Sequence, residues 1–175
     1  MRSRLGLSRT FQQSRFFYNL SIRENLKLSI RQDDDKFFRM LFQNGKTFAF
    51  DEEIKQKMEC IGLYKSLDTK ITDLSYGEQK LLDLVRALLN PHSMLLLDEP
   101  VAGVNPVIRE QLKKIIRKLS WEKETVLLIE HDMDFVRSVS DMVIVMDQGT
   151  VLTKGAPQEV LSEKKVLEAY LGSTS

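Results

Sequence analysis

The second half of the chain alternates short apolar runs with helical stripes. Residues 77–89 carry Leu81, Leu84, Val85, Leu88 and Leu89 on one stripe at helical spacing. Residues 93–97 form a continuous apolar run, which predicts a buried strand. Residues 106–119 return to the helical pattern, with Ile108, Leu112, Ile115, Ile116 and Leu119 on one face. Asn105 suits the N-cap of that helix and Pro106 its first position. Residues 125–129 and 142–146 predict two more strands, and 147–150 turns the latter back into 151–153. Short helices follow at 157–161 and 163–171, the last capped by Ser162 and stopped by Gly172. Strands apolar on both faces, alternating with helices, indicate an α/β fold with a parallel sheet covered on both sides. Upstream, residues 21–73 read as helices with polar breaks at 33–35 and 44–46, and residues 7–11 read as a short strand ending at Gln12.

Composition narrows the classes. The 175 residues suit one domain with room for an inserted subdomain. Lys plus Arg number 26 and Asp plus Glu 25, so no basic surplus points to a nucleic-acid or anionic-lipid partner. A single cysteine excludes an internal disulfide framework and a cysteine zinc site, and Cys60 reads as a small core residue. The longest apolar runs, 94–97, 126–129 and 142–146, are far too short to span a bilayer. The opening MRSRLGLSRTFQQSR has four Arg, three Ser and no acid, as targeting segments do. No apolar run or small-residue cleavage stretch follows it, so the strand reading is preferred.

In parallel sheets, ligands bind beyond the carboxyl ends of the strands. The run 94–97 leads directly into Asp98 and Glu99. Adjacent carboxylates there fit a nucleotide hydrolase, the first holding Mg²⁺ and the second orienting or deprotonating water. The run 126–129 leads into Glu130 and His131, and the histidine is placed to contact a transferred phosphoryl group. Ser75 and Gly77, in LSYGEQK, stand at a helix start where free N–H groups and the dipole attract anions. Plain capping by Ser75 is the competing reading. HDMD at 131–134 is read as helix capping by Asp132 or Asp134 rather than as a metal site. His92, in a loop after Pro91, receives no role.

Taken together these segments resemble the motifs of ABC-type ATPases. LSYGEQK resembles their signature, MLLLDEP their Walker B motif with catalytic glutamate, AGVN at 102–105 their D-loop, IEHD their switch histidine, and RTFQ at 9–12 their Q-loop. The order and spacing are similar, and RTFQ, NLSIRENL, AGVNP and the closing AYLG look most like branched-chain amino acid importers. The resemblance implies a P-loop NTPase (RecA-like) parallel sheet with an inserted helical subdomain. It implies ATP and Mg²⁺ as cofactors, a second cassette bound head to tail, transmembrane permease subunits, and a peripheral place on the cytoplasmic face of a membrane. It casts Glu99 as general base, His131 and Gln12 as catalytic partners, and Asp98 and Gln12 as metal-organising residues. Ser75, Gly77, Glu78, Asp98 and Asn105 would contact nucleotide. Tyr76 stands where the signature has Gly, and Glu78 where Gln is commoner. Eight of nine Phe precede residue 51, in the part the resemblance assigns to permease docking; packing of a small helical core explains them equally.

The resemblance implies four regions: a Q-loop strand at 1–13, a helical subdomain at 14–74, the signature and catalytic core at 75–155, and terminal helices at 156–175. It also exposes a gap. No GxxxxGK[ST] string occurs; Gly45-Lys46-Thr47 lacks the earlier glycine and reads as a surface loop. The expected fold is therefore incomplete at its N-terminus, with apolar strand edges exposed where a phosphate-loop strand would pair. Three readings follow: an ATPase cassette lacking its N-terminal part, a degenerate cassette lending its signature to a partner, and a chromosome-maintenance head. The last needs heptad coiled coils, which the sequence lacks. The chain by itself is expected to be inactive.

Overall fold

The computed structural model describes residues 6–10, 16–29 and 44–171, and the chain divides into two compact units, Met1–Ile129 and Glu130–Ser175. In the first unit the order is β1 (Leu7–Arg9), α1 (Ile22–Ser29), α2 (Asn44–Cys60), α3 (Tyr76–Leu89), β2 (Met94–Asp98), α4 (Pro106–Trp121) and β3 (Val126–Ile129). Strand β2 is central, with β1 and β3 parallel to it on either side. The register pairs Arg9 with Leu96 and Asp98 with Ile129. This parallel arrangement is the one the two-faced apolar runs predict. Leu95 and Leu97 are 0% and 1% exposed, so β2 is the buried heart of the sheet.

Helix α3 is buried nearly all round. Leu81, Leu82, Leu84 and Val85 are covered, and so are Lys80 and Asp83, which the apolar stripe did not include. The Ser8 hydroxyl donates to the carbonyl of Ala87 at 2.7 Å, tying β1 to α3. Helix α4 buries Leu112, Ile115, Ile116 and Leu119, which is the predicted face. Around α1 and α2 a smaller core gathers Ile22, Leu26, Ile54, Met58 and Ile71. Arg23 joins α1 to Asp51 at 2.9 Å and to Asp68, and the Asn25 amide donates to the carbonyls of Phe17 and Ser21.

The second unit holds α5 (Met133–Val139), β4 (Val143–Asp147), β5 (Thr150–Gly155), α6 (Pro157–Val160) and α7 (Lys164–Leu171). Strands β4 and β5 form an antiparallel hairpin. Its turn puts both Gln148 and Gly149 at positive φ, 44° and 81°, as a two-residue hairpin of the twist-matching kind requires. Val143, Val160, Leu161 and Val166 form its core.

Several expectations change. Gly45, Lys46 and Thr47 lie in the first turns of α2, not in a surface loop. Cys60 is exposed at the end of α2 rather than buried. The Ser162 hydroxyl bonds back to the Glu159 carbonyl at 2.8 Å, completing the end of α6 instead of capping α7. The turn of 142–146 back into 151–153 stands as the β4–β5 pair, while full cover of the parallel sheet does not, since Leu127 and Ile129 of β3 are each about half exposed. Of the eight early phenylalanines, Phe16 is buried while Phe17 and Phe48 are exposed; Phe11, Phe37, Phe38 and Phe42 lie outside the described residues. So do Gln12 and Gly172.

Truncating the central strand tests this architecture. Leu95→Ala removes a fully buried side chain and is expected to cost about 2–5 kcal/mol. Urea unfolding measures it, and a cost under about 1 kcal/mol contradicts the burial.

Candidate functional site

The end of β2 carries the two adjacent carboxylates. Asp98 is the last strand residue, held by parallel pairing to Ile129. Its N–H donates to the Thr10 hydroxyl at 3.3 Å, and its Oδ2 accepts from Arg9 Nη2 at 2.6 Å. The guanidinium comes from the neighbouring strand, because Arg9, the last residue of β1, pairs with Leu96 two residues before Asp98 and its long side chain reaches along the strand to the carboxylate. Glu99 leaves the strand at φ 46°, in the left-handed region, and its N–H donates to the Ile129 carbonyl at 2.9 Å. A non-glycine residue there stores roughly 1–3 kcal/mol of strain, which the flanking strands hold in place. The strain turns the chain sharply, so that Glu99 follows Asp98 at the sheet rim instead of continuing the strand. A cavity beside Asp98 is lined by Thr10, Lys80, Asp83 and Leu112.

The segment 99–105 then runs to α4. Asn105 caps that helix, its side chain accepting from the N–H of Ile108 at 3.0 Å, and Pro106 follows at the first position. Ser75 starts α3 through a full capping box. Its hydroxyl accepts from the Glu78 N–H at 3.3 Å, while Glu78 Oε2 accepts from the Ser75 N–H at 2.8 Å and from its hydroxyl at 2.9 Å. Both readings of LSYGEQK therefore meet in one place: the serine caps, and the cap presents a helix N-terminus. Lys65 Nζ lies 2.9 Å from Glu78 Oε1 and offsets the negative charge brought to that terminus. Gly77 is needed for space, because a Cβ there would stand 2.7 Å from Ile108 Cγ1.

His131 belongs to the second unit. Its side chain is 66% exposed, and its N–H donates to Glu130 Oε2 at 3.1 Å. The Asp132 side chain accepts from the Phe135 N–H at 2.8 Å, so this aspartate caps α5. Among the described residues no three His, Cys, Asp or Glu side chains converge as a metal cage. A cation at Asp98 would thus be held by one carboxylate with water and phosphate oxygens, the usual manner of Mg²⁺, and the donor chemistry fits.

The structure brings Asp98, Glu99, Asn105, Ser75, Gly77 and Glu78 into one unit; Gln12 is outside the described residues. Sequence reasoning missed Arg9 and Lys65. Arg9 was legible only once β1 was known to lie beside β2 in parallel, and Lys65 sits in a loop with no periodicity. It also passed over His92, whose Nδ1 lies 2.7 Å from the Asn90 carbonyl and whose Nε2 lies 3.4 Å from Glu124.

The family model described as ABC transporter matches residues 2–102. The high-affinity branched-chain amino acid transport ATP-binding protein LivG of Salmonella typhimurium is 36% identical, covering 97% of this chain and 69% of the relative. BraF of Pseudomonas aeruginosa, described in the same words, is 37% identical over 97% and 69%. A crystal structure of a nucleotide-free ATP-binding cassette from an ABC transporter superposes with TM-score 0.79 at 29% identity, covering 96% of this chain and 69% of that one.

Glu78 gives the site a pH signature. Burial acts to raise its pKa, but the Lys65 hydrogen bond and the Ser75 donors outweigh that and hold it below the ordinary glutamate value. A depressed carboxyl pKa stabilises the fold above the unfolded value of about 4.3 and loses that contribution as pH falls through the folded one. The stability difference between wild type and Glu78→Gln, followed by urea unfolding, should be flat from pH 7 to about 5 and shrink below about 4. A difference that grows on acidification contradicts the assignment.

Proposed function

The chain belongs to the ABC transporter family, and on that premise we propose that it is the ATP-hydrolysing subunit of an importer of branched-chain amino acids or similar small solutes. The observation that carries the reading is the end of β2, where Asp98 and the strained Glu99 stand together at the rim of a parallel sheet. Asp98, whose carboxylate meets Arg9, would hold Mg²⁺, and that ion would supply neutralisation of charge developing on the phosphates. Glu99 takes the proton of the attacking water, which its position directly after Asp98 favours. His131 contacts the phosphoryl group being transferred, and Gln12 links the water to the membrane subunit. Ser75, with the α3 N-terminus and Gly77, grips the nucleotide of a second cassette, and Asn105 and Glu78 frame that surface.

The relatives' names supply the solute class, and the importer assignment to this chain rests on that similarity. Among the described residues no helix is long and apolar enough to cross a membrane, so permease subunits would provide the passage. Four regions belong to the same proposal: a Q-loop strand at 1–13, a helical subdomain at 14–74, a catalytic core at 75–155 and terminal helices at 156–175. A second reading has its own observation. The 175 residues contain no GxxxxGK[ST] string, so the cradle for the β and γ phosphates has to come from outside them. In that reading the chain lends Ser75 and Gly77 to a partner's nucleotide without turnover of its own.

Two measurements test these readings, and the second separates them. The pure chain is expected to show no Mg-ATP turnover; robust turnover abolished by Glu99→Gln would contradict this. In the assembled transporter, Glu99→Gln should reduce hydrolysis by about 100-fold or more while nucleotide binding persists. Loss of binding in that variant would remove Glu99 as the base, and unchanged hydrolysis would favour the second reading.

A further inference from the structure

Tyr76 occupies the first position of α3, where the signature of the family has glycine. Its hydroxyl donates to the Ala102 carbonyl at 3.3 Å. Its ring lies over Gly103, where an added Cβ would stand 3.3 Å from the ring Cε1. Gly103 has φ 71°, so the residue under the ring has both the conformation and the space of glycine. The ammonium of Lys80, a residue only 6% exposed, sits over the ring, 5.6 Å from its centroid. One residue further on, Gly77 lets α3 press against Ile108 in the first turn of α4.

Two backbone bonds run within the segment that Tyr76 touches. The Ala102 N–H reaches the Glu99 carbonyl at 3.2 Å and the Val104 N–H reaches the Val101 carbonyl at 3.4 Å. Both bonds are at the long end of the useful range. The segment's ends are fixed, by the Glu99 N–H on Ile129 and by the Asn105 cap on α4. In its middle Tyr76 supplies a hydrogen bond to Ala102 and a ring against Gly103.

We infer that Tyr76 is a positioning residue that locks segment 99–105 to the start of α3, so that the Ser75 cap and the Glu99 turn move as one body. Its consequence for catalysis rests on the proposed ATPase reading; the lock itself does not. A ligand that shifts Ser75 thereby shifts the backbone that sets Glu99.

Hydrogen exchange of the chain without nucleotide tests the lock directly. Tyr76→Phe keeps the ring and loses the hydroxyl, and Tyr76→Ala loses both while preserving helix propensity. The amides of Ala102 and Val104 should exchange about threefold faster in Tyr76→Phe and about tenfold faster in Tyr76→Ala. Leu84 and Val85, deep in α3, should keep their wild-type rates. Wild-type rates at 102 and 104 in either variant, or an equal acceleration throughout α3, would overturn the proposal. Failure of the ATPase reading would show elsewhere, as nucleotide binding by the assembled transporter that is indifferent to Asp98→Asn.

Discussion

The structure depends on β2 being paired in parallel on both sides. That pairing buries Leu95 and Leu97 and brings three strand ends to one rim. Everything chemical in the first unit follows from the rim. Arg9 meets Asp98 because β1 runs beside β2, and Glu99 is held at a strained φ because its N–H is captured by the end of β3. Without the two flanking strands, neither the ion pair nor the turn has a reason to persist.

The second constraint is the start of α3. Ser75 and Glu78 satisfy each other's backbone donors, and Lys65 balances the carboxylate that this cap requires. A glutamate suits the positive end of a helix dipole, but its charge would repel an anionic ligand approaching the same terminus. The Lys65 contact makes it tolerable. The same helix start touches the segment that follows Glu99, through Tyr76, so the cap and the Glu99 turn are linked in space although more than twenty residues apart in sequence.

Much of this was legible in the residues. The apolar runs at 94–97 and 126–129 and the stripe of α4 emerge where periodicity put them, because buried strands and amphipathic helices leave direct patterns. Asp98, Glu99, Ser75 and Asn105 were legible from their places at element ends. What stayed hidden has physical causes. Arg9 looks like a surface charge until its strand has a partner. Cys60 is exposed at the end of α2, two residues after the buried Met58, a placement that composition does not encode. The start of α2 at Gly45 contradicts local propensity, since glycine disfavours helix, and α2 is carried by the packing of Ile54 and Met58. Lys80 and Asp83 are polar letters inside a helix buried on all sides, so a stripe argument assigns them to the surface.

The central claim is that this chain presents Ser75 to a nucleotide phosphate held by a second cassette. Orthovanadate trapped in place of the γ-phosphate cuts, on ultraviolet irradiation, the backbone of residues in contact with it. Applied to the chain assembled with its partner subunits and ATP, with fragments read by mass spectrometry, it should cleave at Ser75. Fragments ending elsewhere, or no ATP-dependent cleavage of this chain, would contradict the account.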